Sequence, residues 1–348
     1  MAKVLVIRIS SFGDVAMLVP VIFSVAAKYP QDRFSIMTRK AFAPLFENLG
    51  FNVNVIPLDI KGRHRGLLGF YRVLRRVLAA RFSHVADVHD VLRSKGIRYF
   101  MKMTGKKVVR IDKGRKEKKE MIDSKALNPP LESTIQRYQD VFDKLGFPAP
   151  MVFNNIFDFA PRDFSELKSV IAEKKGKWIG IAPFSKHKGK IYPLEKMENV
   201  IKILSQKENI TIFLFGAGKE ENKVLSVWCD KYPNIINPSG KLNLIRELLL
   251  ISHLDVMLSM DSANMHLASL VQTPVVSVWG ATHPALGFCG FGQDIDNAIG
   301  INDLDCRPCS VYGDLPCERG DYACLYRISE DMVISRIEKN LALEKEVS

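Results

Sequence analysis

The stretch Ser259-Met260-Asp261-Ser262-Ala263-Asn264-Met265-His266 gathers polar groups where an apolar run gives way to a helical pattern. Before it, Leu254-Asp255-Val256-Met257-Leu258 is short and mostly apolar, as a parallel strand covered on both faces should be. Asp261 and Ser262 are residues favoured at helix starts, and Ala263 to Leu270 has the spacing of a short helix that Gln272-Thr273-Pro274 ends. Val275-Val276-Ser277-Val278-Trp279 reads as the next strand, which completes a βαβ unit. Strand ends in such units carry ligands. The free backbone N–H groups of Ser262, Ala263 and Asn264 would favour an anion such as phosphate. The same spacing also fits a purely structural helix that Asp261 and Ser262 cap.

Asp14 is the candidate for acid–base chemistry. Lys3 to Ile9 reads as a first strand, and the loop Ser10-Ser11-Phe12-Gly13-Asp14 leads from it into a helix, with Gly13 expected to permit the sharp turn. A carboxylate at that helix start can be a cap or a general base. His89 and Asp90 end the strand that begins at Val85, and they are expected at the same sheet edge, where either can position an acceptor. Glu220 opens a helix after Gly216-Ala217-Gly218, which matches only part of a dinucleotide fingerprint because Glu221 stands in place of the third glycine. A carboxylate there can take two ribose hydroxyls, or simply favour the first helical turn.

Four of the six cysteines form the series Cys306-x2-Cys309-x7-Cys317-x6-Cys324. Four thiolates can close a tetrahedral structural zinc site, but the second pair is wider than in a zinc ribbon, so zinc is not favoured over two disulfides or four reduced thiols. No histidine or base accompanies them, and a catalytic role is not expected. No cofactor is expected to be required.

The elements that must position these groups repeat a βα rhythm twice. In the first half Val15 to Tyr29 is a helix, with Pro20 tolerated near its first turn or making a kink; Arg33 to Met37 and Asn52 to Ile56 are strands; Leu67 to Ala80 is a basic amphipathic helix. Thr134 to Leu145 is a further helix ended by Gly146, with Pro148 and Pro150 beyond it. The second half restarts with a strand at Lys177 to Ala182, a helix at Leu194 to Glu208, a strand at Ile210 to Phe215 and a helix at Lys219 to Lys231. The length of 348 residues fits two α/β domains. We expect an N-terminal, acceptor-binding domain over 1–150, a linker over 151–176 and a C-terminal domain for a nucleotide-linked substrate over 177–348 that holds the cysteine segment 306–324 and a terminal helix.

The composition, 47% hydrophobic and 25% charged, excludes disordered and fibrous classes, and no apolar run reaches the roughly 18 residues of a membrane span. The N-terminus lacks a signal-peptide layout, which places the protein in the cytoplasm. Its net charge of +12 is concentrated between Lys61 and Lys119, where 19 Lys or Arg face 4 Asp or Glu. That stretch has no nucleic-acid-binding signature, so an anionic membrane surface is the expected partner, with Lys113 to Lys119 as a mobile basic loop. Such an association should weaken with salt, because the screening length falls from about 10 Å at 0.1 M to about 3 Å at 1 M.

Arg8-x-Ser10-Ser11-x-Gly13-Asp14, Lys190-Ile191-Tyr192-Pro193 and Asp261-Ser262-x-x-x-His266-Leu267-Ala268 occur in that order, and together they resemble glycosyltransferase family 9, the bacterial heptosyltransferases of lipopolysaccharide inner-core synthesis. The resemblance runs from the first strand to roughly the cysteine series. It implies a GT-B fold, with two Rossmann-like domains facing across a cleft, and an inverting transfer of heptose from ADP-heptose to the Kdo or heptose of a lipid A-linked core, at the inner face of the inner membrane. By motif, Asp14 matches the general base, with Ser10, Ser11, Gly13 and His89 on the acceptor side. Lys190 matches the lysine at the donor phosphates and Ser185 a residue touching phosphate. Glu220 matches the ribose-holding acid, and Asp261, Ser262, Ala263 and His266 match the donor loop. Ala263 departs from the family's common glycine, and Lys186-His187-Lys188 adds positive charge to the phosphate loop. Another nucleotide-sugar transferase, a sugar-nucleotide epimerase and a non-catalytic polyanion or lipid binder are the alternatives.

Overall fold

A computed structural model describes residues 1–343, which form two compact units. In chain order the first elements are β1 (Lys3–Ile7), α1 (Phe12–Lys28), β2 (Arg33–Arg39), β3 (Val53–Leu58), α2 (Gly66–Ala79), β4 (His84–Asp87), α3 (Leu92–Met103), β5 (Lys107–Arg110), α4 (Arg115–Ser124) and α5 (Thr134–Leu145). The five strands are parallel in the order β3-β2-β1-β4-β5. Every residue of β1 from Val4 to Ile7 is buried, the pattern of a central strand covered on both faces. Leu5 and Ile7 pack with Val73 and Val77 of α2 and Ile97 of α3. Pro20 lies in the middle of α1, well past its first turn, which removes the first of its two expected placements and leaves it inside the helix. The carbonyl of Pro20 accepts from Ser24 Oγ at 2.8 Å.

The second series is β6 (Lys177–Ala182), α6 (Leu194–Ser205), β7 (Ile210–Leu214), α7 (Gly218–Lys231), β8 (Ile235–Ile236), α8 (Leu244–Ser252), β9 (Val256–Met260), α9 (Ala263–Ser269), β10 (Val275–Val278), β11 (Ala298–Ile299), α10 (Ala323–Tyr326) and α11 (Glu330–Ala342). Its sheet is also parallel, in the order β11-β10-β9-β6-β7-β8. Ile179 and Ile181 of β6 and Val256 and Leu258 of β9 are fully buried at its centre. The terminal helix α11 packs on α6, where Lys196 reaches both Glu330 and the carbonyl of Ile328.

Unit 1 comprises Met1–Lys113 with Glu132–Pro161, and unit 2 comprises Gly114–Leu131 with Arg162–Ser348. The chain therefore changes unit at three places, where one linker was expected; residues 151–161 stay with unit 1 and 162–176 with unit 2. The physical reason lies in α4. Within the basic run Lys113 to Lys119, expected to be a mobile loop, Arg115 to Lys119 supply the first turns of this helix. Met121 on its buried side joins Ala285 and Leu286 in a small apolar cluster of unit 2. Lys118 is buried too, with its ammonium 4.2 Å from the centroid of the Phe288 ring.

In each sheet the first strand has neighbours on both sides that follow it in sequence, β2 and β4 around β1, β7 and β9 around β6. The connections from those strands leave in opposite directions, which opens a crevice at their C-terminal ends. Asp14, His89, Ser185 and Asp261 all lie on loops or first turns at those two ends.

Candidate active site

In unit 1 the loop after β1 delivers Ser10 and Ser11, and α1 begins at Phe12. Ser11 is the N-cap, and Asp14, three residues on, closes a capping box by accepting from the Ser11 backbone N–H at 3.1 Å. The same carboxylate oxygen, Oδ2, accepts from Ser11 Oγ at 2.5 Å and from the Arg8 guanidinium at 2.6 Å. Asp14 is thus a cap and an ion-pair partner at once. All three contacts go to Oδ2, so Oδ1 is left to accept from something else. Burial works against ionisation of Asp14, but Arg8 and the Ser11 hydrogen bonds outweigh it and hold the carboxyl below the usual range. Gly13 lies inside the first turn of α1 and not at a left-handed position, so the sharp turn expected of it is made by the residues before the helix.

His89 follows β4, and its Nε2 lies 3.3 Å from Ser10 Oγ. Burial, and then the positive charges of Arg8 and Lys113, push its pKa down to about 3, so the ring is neutral at ordinary pH. Asp90 is turned away from Asp14's chemistry, because Arg98 binds it and Asp87 at 2.9 Å each. Arg8 also donates to the carbonyl of Val88 at 2.7 Å, which ties the loop after β4 to the end of β1.

In unit 2, Asp261 follows β9 and Lys190 ends a short helical turn, Lys188–Lys190. Lys190 Nζ lies 2.7 Å from Asp261 Oδ2, and Thr282 Oγ1 donates to the same oxygen at 2.8 Å. Ser185 donates to the backbone carbonyl of Asp261 at 3.2 Å. Asp261 is therefore not the cap of α9. Ser262 takes the N-cap position, but its hydroxyl lies 3.2 Å from Ser259 Oγ and no side chain caps the helix. The first N–H groups of α9, beginning at Ala263, therefore have no side-chain cap among the described residues, and the helix starts two residues after Asp261, the partner of Lys190. His266 is buried one turn further along α9. This geometry suits an anion with several oxygens.

Glu220 is not brought into this group. It stands on the first turn of α7, beyond β7, with its side chain exposed and paired to Lys223 at 2.9 Å. The neighbouring Glu221 accepts from the Ala217 N–H at 2.7 Å, so the Gly-Ala-Gly turn is closed by a carboxylate, unlike a dinucleotide loop. The four C-terminal cysteines do converge, since Cys306, Cys309, Cys317 and Cys324 ring one pocket with Arg307 and Tyr322. All four are unpaired thiols, and among the described residues no group of three or more His, Cys, Asp or Glu is arranged to hold a metal ion.

Two contributors escaped the sequence reading. Thr282 shares Asp261 with Lys190, and the polar residue just past an apolar strand was the available signal. Gly313 lies against Lys190 with φ of +70°, and a Cβ there would sit 2.7 Å from Lys190 Cγ, so only glycine fits both the turn and the lysine stem. Nothing local in the sequence links residue 313 to residue 190.

Two Rossmann-like units, each built on a parallel sheet, with the Asp14 carboxylate at the switch point of one and the paired Lys190 and Asp261 at that of the other, are the architecture of a GT-B-type glycosyltransferase. The chain belongs to glycosyltransferase family 9 (heptosyltransferase), whose family model matches residues 70–315. It is 23% identical over 311 residues to the lipopolysaccharide core heptosyltransferase OpsX of Haemophilus influenzae, covering 85% of this chain and 83% of that protein. Its fold resembles that of E. coli heptosyltransferase WaaC with ADP, at a TM-score of 0.68, 18% identity and coverage of 97% and 99% of the two chains. A family 9 glycosyltransferase from Veillonella parvula superposes at a TM-score of 0.72, with 17% identity and coverage of 98% and 97%. Among the described residues no helix is long and apolar enough to cross a membrane.

Proposed function

We propose that this glycosyltransferase moves heptose, with inversion, from ADP-heptose to a sugar of the lipid A-linked inner core. In this reading Asp14 Oδ1 takes the proton of the acceptor hydroxyl as its oxygen attacks the anomeric carbon. The bond to the diphosphate breaks, and the electron pair leaves on ADP. Lys190 and the uncapped N–H groups at the start of α9 stabilise that developing charge, with Ser185 and Thr282 fixing the backbone and carboxylate of Asp261 around it. The observation that carries the reading is the one-sided anchoring of Asp14: three donors hold Oδ2 and Oδ1 stays available. The test is incubation with ADP-heptose and a lipid A-linked Kdo acceptor, followed by mass spectrometry, with UDP-linked sugars as rival donors. A mass gain of one heptose is expected with ADP-heptose only. Transfer from another donor, or none from ADP-heptose, overturns the assignment.

The acceptor's lipid also fits a surface of unit 1. Helices α2 and α3 expose Leu67, Leu68, Tyr71, Leu92, Tyr99 and Met103, and Leu67 and Leu92 are each 88% exposed. The exposed cations Arg72, Arg75, Lys95 and Lys102 are interleaved with them. Apolar side chains ringed by cations suit the headgroup region of an anionic bilayer. Charge alone predicts binding that salt removes; this surface is expected to retain part of its vesicle binding at 1 M salt, and Leu67→Glu with Leu68→Glu to remove that part. Vesicle flotation that responds to salt alone would leave the leucines without a role.

A further inference from the structure

The buried polar atoms of unit 1 with no hydrogen-bond partner among the described residues include Thr38 Oγ1, Arg39 Nε and His89 Nδ1, and the last two belong to groups that can bind an anion. A buried donor or acceptor left unpaired costs about 1–3 kcal/mol, so each needs a reason. His89 is only 6% exposed, and its Nε2 is already engaged with Ser10. Arg39 ends β2, the neighbour of β1 on the side away from β4, so both groups sit at the C-terminal edge that carries Asp14. They flank the end of β1 from its two sides, Arg39 on β2 and His89 after β4.

Arg39 also lacks an acidic partner among the described residues. Carboxylates of the same edge are engaged elsewhere, Asp14 with Arg8, Asp87 and Asp90 with Arg98, and Asp59 with the N–H groups of Gly62 and Arg63. Its guanidinium lies 5.9 Å from the centroid of the Phe42 ring, and Phe42 in turn stacks on Phe12 at 4.7 Å and 6°. The platform begins at Phe12, the first residue of α1, two positions before Asp14. A guanidinium supported on an aromatic face, with no carboxylate of its own, is prepared for planar recognition of an anion.

We propose that Arg39 and His89 form a subsite for an anionic group of the acceptor, a carboxylate or a phosphate, beside the hydroxyl that Asp14 deprotonates. This rests on the transfer reading above and extends it to specificity. Arg39 presents its fork of N–H groups to the anion, and the neutral His89 supplies one further hydrogen bond through Nδ1. The two residues select the acceptor and orient its nucleophile; neither takes part in proton transfer.

The experiment has a binding arm and a turnover arm. The imidazole nitrogen signals of His89 are followed by NMR while Kdo, and separately inorganic phosphate, is added to the full chain and to Arg39→Gln. A shift is expected with at least one of the two anions in the wild type and none in Arg39→Gln, with Arg39→Lys intermediate. An unchanged His89 signal with both anions overturns the subsite, even where transfer occurs. A shift without any heptose transfer keeps the subsite and sinks the transfer reading instead. In the turnover arm, Arg39→Gln should raise the acceptor KM at least tenfold at unchanged ADP affinity. That loss should vanish with an acceptor whose carboxyl has been reduced, if the carboxylate is the bound group, or whose phosphates have been removed, if phosphate is. An equal loss with all three acceptors overturns the proposal.

Discussion

The two sheet edges that hold the candidate site are built alike and finished differently. In unit 2 the charged side chains satisfy one another: Lys190 and Thr282 converge on one oxygen of Asp261, and Ser185 holds its backbone. In unit 1 one oxygen of Asp14 is held three times over, while Arg39 Nε and His89 Nδ1 have no hydrogen-bond partner among the described residues. The first edge is preorganised for a group that never changes, as the diphosphate of a donor would not. The second leaves capacity for an acceptor whose own polar groups complete it. Under the proposed function, preorganisation on one side suits a donor diphosphate that stays the same, and incompleteness on the other suits an acceptor that completes its own site.

The largest expected effect breaks the proton-accepting half of this comparison. Asp14→Asn keeps the shape and the capping oxygen, yet turnover should fall by about 10²- to 10⁴-fold, the usual size of general-base catalysis. The variant should also melt at a lower temperature, because Arg8, whose side chain is 6% exposed, loses its counter-charge. Initial rates measured well below that melting point separate the two effects, and a fully active Asp14→Asn enzyme would leave Asp14 as a cap alone.

A smaller effect probes the preorganised half. Thr282→Val preserves volume but removes one hydrogen bond to a buried carboxylate, which should cost about 1.5–3 kcal/mol of stability in a chemical denaturation curve. The acceptor KM should stay as it was. A shift in acceptor KM equal to that of Arg39→Gln would dissolve the distinction between the two edges.

The smallest effect is in the pH profile. Asp14 has a depressed pKa, so the carboxylate form, and the ion-pair stability it brings, persist above the ordinary carboxylate range and are lost only as pH falls through the lower folded value. The acid limb of kcat/KM should therefore lie below the usual carboxylate pKa, near 4, and rise toward it in Arg8→Gln. An acid limb at pH 6 or above would assign the titration to another group.

Much of this was legible in the chain. The alternation of apolar strands and amphipathic helices gave both parallel sheets, and Asp14, Lys190 and the Asp261 loop fall at strand ends because the βα rhythm puts them there. What stayed hidden depended on contacts between distant segments. The run Lys113 to Lys119 is polar enough to pass for a loop, whereas Arg115 to Lys119 open a helix of unit 2 whose Met121 packs with Leu286. Thr282 and Gly313 shape the lysine site from more than ninety residues away in sequence. The exposed leucines of α2 were read as part of a basic helix, since sequence spacing shows a hydrophobic stripe but not which residues the rest of the unit leaves uncovered. Glu220 stands where it was expected, on the first turn of α7 after β7, with its side chain exposed and paired with Lys223.

The division of labour between the two units is tested most directly by calorimetric titration of ADP into Asp14→Asn and Lys190→Met beside the unaltered protein. Loss of the lysine removes a charge-assisted contact worth about 1.5–3 kcal/mol, so ADP should bind Lys190→Met about 10- to 150-fold more weakly, while Asp14→Asn stays within about twofold of the wild type. Unchanged ADP binding by Lys190→Met, or an equal loss in Asp14→Asn, would contradict the placement of the donor in unit 2 and of the base in unit 1.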